Sequence, residues 1–465
     1  MTRSSADWET LQSAIGGAVV LPEAPDYDSV RIPAMARFEA VRPEGVVLCG
    51  SSDDVAAAIA FARRAGLETR VRSGGHSVAG RSSTEGLVID VTPMSSVSVA
   101  DGVATVGAGA RLGSLYDALD EHGLTIPAGC GPSVGIGGLT LGGGIGILGR
   151  KHGLTCDHLV GAEVVLADGR VVRCDEHHDA DLFWALRGGG GGNFGVVVSF
   201  VFRTVLAPAT TVFRLIWPFV HAAALVEAWQ EWAPSGPNEL DATLRLTTGD
   251  DGEPPLVELI GACGDNELDA VELLDRLVAG TGSNPTSASH RHMGYREAKR
   301  YLDELGTADI RPESIPSEEP ARGHLFTKSE FFRRPLPSQT IAALVENLSA
   351  PFGHNESREV TFTPWGGAYN RVPEDATAFP HRNELFLIQH LLVIDPDAKS
   401  EAAREWLTRS WAIVHPHGSG GVYPNFPDLD LEDWARAYHG GNYDRLLGVK
   451  ATYDPTNFFR FEQSL

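Results

Sequence analysis

The sequence predicts an α+β protein of two substantial domains, and three observations carry that prediction. A chain of 465 residues exceeds one ordinary compact domain. Short strands and helices alternate from Val46 to Leu206, as a mixed α/β unit requires. Beyond Thr210 the texture changes to long alternating strands and amphipathic helices, the mark of an antiparallel sheet covered by helices.

In the first part VVLCG reads as a strand. Ser51 and Ser52 can then cap a helix over DDVAAAIAFARRAG that buries Val55, Ile59 and Ala62 and stops at Gly66. Strands follow at ETRVR, GLVIDV and VATVGAG. A second helix, RLGSLYDALDEHG, sets Leu112, Leu115 and Leu119 on one face and ends at Gly123. AEVVLADGRVVRCD reads as a hairpin turned at Asp168 and Gly169. In the second part TVFRLIWPFV, LDATLRLTTG, PLVELIGAC, REVTFTPW and ELFLIQHLLVI are expected as strands of one sheet. HAAALVEAWQEWA, NELDAVELLDRLVAG and SEAAREWLTRSWAIV are expected as its helices. Residues 308–323, rich in Pro, Ser and Glu, are expected as a long loop and a candidate lid.

Composition narrows the partners. A formal charge of -23 and a pI near 5.1 argue against nucleic acid and anionic membranes, which such a surface would repel. A small molecule is the expected partner. The N-terminus does not fit a secretory signal, and no apolar run is long enough to span a bilayer. Cys49, Cys130, Cys156, Cys174 and Cys263 are odd in number and contain no CxxC pair, so neither a disulfide framework nor a zinc site is expected, and the cytoplasm is the expected compartment. His415 and His417 lack carboxylate or thiol neighbours in sequence and read as solvated loop residues, as do His177, His178, His290 and His292.

The 52 glycines exceed ordinary usage and cluster at 129–149 and 188–195, where the backbone must bend tightly or approach something closely. Gly144, Gly146 and Gly149 spell GxGxxG with Asp168 downstream. LTLGGG before it is no buried strand, and Gly153 breaks any helix after it, so this is no dinucleotide fingerprint. VRSGGHSVAG is more informative. A strand ending in Ser73, Gly74 and Gly75 exposes successive amides, a concave nest of donors suited to a diphosphate, and a histidine follows at once.

Four strings in order, VRSGGHSVAG, GCGPSVGIGGLTLGGGIGILGRKHGLTCDHL, DLFWALRGGGGGNFGVVVSF and YPNFPDLD with the tail YDPTNFFRFEQSL, resemble the berberine-bridge-enzyme-like oxidases of the vanillyl-alcohol-oxidase and cresol-methylhydroxylase superfamily. The resemblance runs over nearly the whole chain. It implies a two-part FAD-binding domain formed by residues 1–205 and a returning C-terminal segment 421–465, with a substrate domain over 206–420.

Carried over residue by residue, the resemblance assigns Ser73, Gly74, Gly75 and Ser77 to the FAD diphosphate and His76 to a covalent bond with the flavin. Gly131, Val134, Gly135, Gly138, Gly142 and Gly143 would line the cofactor's other side. Gly192, Asn193, Gly195 and Val196 would lie beneath it, and Asn425 and Asn457 would approach it from the C-terminal segment. Tyr423 matches the position that serves as base in many relatives. A phenol's ordinary pKa is about 10, so a neighbouring positive charge or donor must favour its anion. Gln389 is expected to reach the substrate, and alternation sends His390 to the opposite face of its strand.

The implied reaction is oxidation of a small alcohol, sugar or secondary metabolite with electrons passing to dioxygen. A flavin dehydrogenase with another acceptor, or a flavin-containing drug-binding protein, are the alternatives. Val134, small where relatives are small, favours oxygen as acceptor. Three departures from the family pattern stand out. Leu139 replaces a histidine, Ile145 replaces an aromatic, and Cys130 sits one residue before the place, here Gly131, where relatives with a second flavin bond carry its cysteine. A one-residue shift in an extended segment reverses the side chain, so single attachment through His76 is expected.

Overall fold

The computed structural model describes residues 5–248, 254–264, 266–308, 323–353, 356–396 and 401–465. All but the two ends of the loop expected over 308–323 lies outside the described residues.

Two sheets build the N-terminal part. The first has the order β1-β2-β4-β3: Ala18–Val20, Gly45–Leu48, Leu87–Asp90 and Thr69–Arg72. Its last three strands run parallel. The crossover between β2 and β3 is the helix Ser52–Ala65. Ser51 caps it by accepting from the Asp54 amide, and Gly66 ends it at φ +64°. The second sheet has the order β5-β6-β10-β8-β9: Val97–Ala100, Val103–Gly107, Val196–Arg203, Leu159–Val165 and Val171–Cys174. Its β8-β9 hairpin turns at Gly169, φ +88°. A short pair joins β7, Leu124–Thr125, to β11, Val205–Leu206. One core fills the space between these sheets, and it includes Leu446, Val449, Phe459 and Leu465 from the far end of the chain.

A seven-stranded antiparallel sheet forms the rest, in the order β15-β12-β14-β13-β17-β18-β16. The strands are Ser287–Gly294, Ala209–Pro218, Leu256–Gly264, Leu240–Thr247, Glu356–Pro364, Phe386–Ile394 and His324–Phe332. The five strands expected from alternation are all present. The two missed are the edges β15 and β16. SASHRHMG is exposed along nearly its whole length, so it shows no alternation, and His290 and His292 lie on this strand rather than in a loop. HLFTKSEFF hides two buried charges, Lys328 held by Asp428 and Glu330 held by His415, which break its pattern. Helices Ala222–Ser235, Glu267–Thr281, Ser338–Leu348 and Glu401–Val414 cover one face with an aliphatic and aromatic core.

The sheet's other face meets the N-terminal part, and buried cations hold them together. Arg150, 1% exposed, donates to the carbonyls of Trp365 (3.0 Å), Leu240 (2.7 Å), Pro234 (2.9 Å) and Gly236 (3.0 Å). Arg382 makes a forked pair with Asp157 at 2.6 and 2.9 Å. Lys299 donates to the Ala128 and Gly129 carbonyls at 2.5 and 3.1 Å. A buried charge without such partners costs several kcal/mol, on the order of 3–5 for a broken pair. The polar contacts therefore fix how the two parts meet, and with it the site between them.

Candidate active site

The strand β3 runs straight into Ser73, Gly74 and Gly75, and Gly75 takes φ +74°. A Cβ on Gly74 or on Gly135 would overlap the other glycine's backbone, so the two segments interlock only because both lack side chains. Ser73 Oγ donates to the Ala108 carbonyl (2.7 Å), and its carbonyl accepts from Thr92 Oγ1 (2.8 Å). Ser77 Oγ accepts from the Arg81 amide (3.1 Å). The loop is braced from behind, and among the described residues the amides of Gly74, Gly75, His76 and Ser77 donate to no protein oxygen.

His76 follows with its Nε2 buried and unpartnered. Burial first, and the charge of Arg111 second, push this imidazole down to about 4, against a hydrogen bond to the Ser133 backbone. It is therefore a neutral nitrogen nucleophile at physiological pH, with a lone pair that no protein donor occupies. An orphaned buried nitrogen beside a cradle of free amides fits a covalently held, diphosphate-bearing cofactor. On Gly138, in the short helix Ile136–Leu141, an added Cβ would meet open space.

The glycine run serves a second purpose. Gly142 and Gly143 are packed by Asn425 and by the rings of Phe379 and Tyr423, so these two glycines, expected at a cofactor, support the tyrosine. Gly144, at φ +90°, donates its amide to the Tyr423 hydroxyl at 2.9 Å. Asn425 Nδ2 donates to the same hydroxyl (3.1 Å) and to the Leu139 carbonyl (3.0 Å). Burial pushes Tyr423 up to about 12, with those two donors pulling the other way. Of the two stabilisers expected, a positive charge or a donor, the site supplies two N–H donors.

Tyr423 closes an aromatic cluster with Phe379, Phe331, Trp365 and Tyr369 that also holds Leu154 and Leu387. Phe331 and Leu387 belong to β16 and β18 and are paired in register. They mark the sheet face turned to Tyr423. Two residues along each strand, on that same face, a polar row crosses five strands: Ser329, Gln389, Thr361, Arg245 and Glu258, each directly opposite the next. Gln389 donates to Thr327 Oγ1 (3.1 Å), Arg245 Nε donates to Glu258 Oε2 (3.0 Å), and Arg214 also pairs with Glu258. Ser329 Oγ is buried without a partner. Sequence reasoning found Gln389 but missed the row. Only the register aligns it. His390, as alternation requires, points to the helix layer, where Nδ1 meets Ser410 Oγ at 2.8 Å and burial pushes the ring down to about 3.

Several residues expected at the cofactor also have neighbours within the protein. Asn193 anchors the chain's end: Nδ2 donates to the Gly189 carbonyl (3.0 Å), Oδ1 accepts from the Leu465 amide (3.3 Å), and its carbonyl accepts from Lys450 (2.6 Å). Gly192, at φ +78°, lies beside Phe461, and a side chain on Gly195 would collide with Val164. Val196 is buried as the first residue of β10. Asn457 is exposed in a left-handed turn, φ +47°, because the adjacent Asp454 takes the buried place beside Lys450. Cys130 Sγ lies 3.7 Å from Lys299 Nζ and packs against Val212, Ala298 and Leu302. A Cβ on Gly131 would meet only the Val134 methyl. His415 and His417 are not simply solvated: they bond Glu330 (2.7 Å) and Thr340 (2.9 Å).

Comparison with known proteins agrees with this geometry. The family model described as FAD binding domain matches residues 43–175, and the one described as berberine and berberine like matches 422–465. The uncharacterized FAD-linked oxidoreductase YvdP of Bacillus subtilis is 34% identical over 97% of this chain and 98% of its own. Among solved structures, BBE-like 1 of Physcomitrella patens superposes with a TM-score of 0.88 at 28% identity, covering 98% of both chains. A chitooligosaccharide oxidase gives 0.86 at 26% identity, covering 99% of both.

Proposed function

Since the chain belongs to the berberine-bridge-enzyme-like FAD-linked oxidoreductases, we propose that it is an oxidase of a hydroxyl-rich small molecule, with FAD held covalently through His76 alone. Bound FAD supplies the two-electron acceptor for the substrate's C–H carbon and the route from there to dioxygen. The chain's own residues do the rest. The free amides of Gly74 to Ser77 would receive the diphosphate, and the neutral His76 nitrogen would be the point of covalent attachment.

Tyr423 takes the substrate's hydroxyl proton, and the Gly144 and Asn425 donors hold the resulting charge on its oxygen. Phe379, Phe331 and Trp365 exclude water from that proton transfer. The observation that carries the substrate reading is the polar row from Ser329 to Glu258. Four strand spacings make it ~19 Å long, enough to engage several hydroxyls at once. A buried polar group without a partner costs stability, and in this row the Ser329 hydroxyl has none among the described residues. The chitooligosaccharide oxidase among its structural relatives supports the same class.

The test is anaerobic mixing of the yellow enzyme with sugars, oligosaccharides and apolar aromatic alcohols, followed by admission of air. Bleaching by the hydroxyl-rich ligands and peroxide on reoxidation are expected. Tight binding with no bleaching would refute the enzyme reading, and bleaching that only an artificial acceptor reverses would make it a dehydrogenase.

A further inference from the structure

A cavity of about 900 Å³ lies apart from Tyr423, at the β16 edge of the large sheet. It is bounded by that strand, by helix Glu401–Val414 and by the segment that follows Phe426. Its wall also holds Val78 and Ala79, just beyond His76, and Thr327, the acceptor of the Gln389 amide. The volume falls within the range of small-ligand pockets, about 300–1,000 Å³.

The cavity is lined by Arg37, Lys328, Arg404 and Arg409 and by Glu401, Glu405, Asp428 and Asp430, so its charges balance in number but are paired unevenly. Arg37 and Arg404 both lie over the ring of Phe326, at 4.1 and 5.4 Å from its centroid. Arg37 is half-buried, and lost hydration together with the charge of Arg404 disfavours its cation, with Asp430 partly opposing. Other arginines in comparable or deeper burial are satisfied: Arg72, Arg150 and Arg358 each donate to protein oxygens. Among the described residues, Arg37 has only aromatic faces. Of the carboxylates on its side, Asp428 is held by Lys328 at 2.7 Å, while the exposed Asp430 lies 3.4 Å from the same lysine and acts on Arg37 without a hydrogen bond to it. Glu401 and Glu405 line the cavity from the exposed side of their helix and bond neither guanidinium.

Two guanidiniums that bond no carboxylate among the described residues, one half-buried and one exposed, share one ring face and can both donate to an anion. We propose that this cavity binds a small organic oxyanion, its carboxylate or phosphate received between Arg37 and Arg404 and its body extending toward Thr327. The planar guanidinium fork suits either group, and the volume is too large for a bare ion.

The experiment is calorimetric titration of the intact flavoprotein with glucuronate, inorganic phosphate and glucose. Glucuronate or phosphate should bind at least tenfold more tightly than glucose. Arg37→Gln and Arg404→Gln should each weaken the anion by about tenfold, the scale of one charge-assisted bond, and Arg37→Lys by less. Glucuronate binding with phosphate as an equal competitor assigns the site to oxyanions in general. Preference for one of them names the headgroup. Equal binding of glucuronate and glucose, no binding of either anion, or wild-type affinity in both Gln variants would overturn the proposal. Thermal melting of each variant controls for folding. No readout depends on turnover, so failure here leaves the oxidase reading standing.

Discussion

The two walls of the site are made of different material. On one side, the segment Ser73 to Ser77 and its partner at Gly135 work through backbone: free amides, interlocked glycines and one orphaned imidazole. On the other, the face of the seven-stranded sheet works through side chains that come from five strands and meet only in register. The first wall interlocks one short string with a single distant glycine, and at Gly74 and Gly135 it tolerates almost no change in residue size. The second is assembled over more than a hundred residues, and each position can change alone. The backbone wall should therefore fail all at once, the side-chain wall by degrees.

The largest effect is expected at the backbone wall. Acid precipitation of the wild type should leave a yellow pellet, and His76→Ala should release all of the colour to the supernatant. Free FAD from the wild type would remove His76 from the attachment chemistry. The imidazole is pushed down to about 4, so between pH 5 and 8 it stays neutral and attachment should proceed at a constant rate.

Tyr423 lies where the walls meet and comes second. Tyr423→Phe should keep fold and flavin but slow anaerobic flavin reduction by about a hundredfold or more, the usual scale for a lost general base. The sign of the pH dependence is set by burial. The base form is the phenolate and its pKa is pushed up to about 12, so its population falls about tenfold for each pH unit below that. kcat/KM should climb from pH 7 to 10 in the wild type and stay flat in Tyr423→Phe. Asn425→Ala removes one donor to the anion and should move the climb to higher pH. A flat wild-type profile would exclude the phenolate as base.

The same contrast explains what the sequence revealed. The nest was legible because RSGGHS is one string whose residue types state their purpose. The alternation of β12, β13, β14, β17 and β18 was legible because one face of each packs under helices. The polar row was not. Ser329 lies in a strand disguised by Lys328 and Glu330, whose partners Asp428 and His415 are far away in sequence. Arg245 and Glu258 look like ordinary surface residues until the register sets them opposite each other. Asn193 and Asn457 read as cofactor contacts by position in a motif. The tail's own anchoring, through Lys450, Asp454 and Leu465, decides where they point.

The side-chain wall should break in smaller steps. Gln389→Ala or Ser329→Ala should each raise KM for a hydroxyl-rich substrate by roughly two- to tenfold with flavin attachment unchanged, since one neutral hydrogen bond is worth roughly 0.5–1.5 kcal/mol. The two together should lose more than either. If both variants kept the wild-type KM while Tyr423→Phe remained impaired, the row would be structural and the substrate would lie elsewhere on the sheet.

The smallest effect is expected at Cys130, which lies on the glycine-rich string and would pass by sequence for a second flavin anchor. Its neighbours argue otherwise. The thiol sits 3.7 Å from Lys299 Nζ, among Val212, Ala298 and Leu302, so it faces the sheet and the helix Tyr295–Ala308. Burial raises its pKa, with Lys299 only partly opposing, which leaves it a poor nucleophile. The next residue, Gly131, opens a turn closed by the Val134 amide on its carbonyl (3.2 Å), and there an added Cβ would meet only the Val134 methyl. Cys130→Ser should therefore leave the yellow pellet, the flavin content and the reduction rate unchanged. Peptide mapping of the denatured wild type should find flavin on the His76 peptide alone, with Cys130 open to alkylation. A flavin joined to both peptides would show that the loop turns Cys130 inward when FAD binds, and would move this residue from the side-chain wall to the backbone wall.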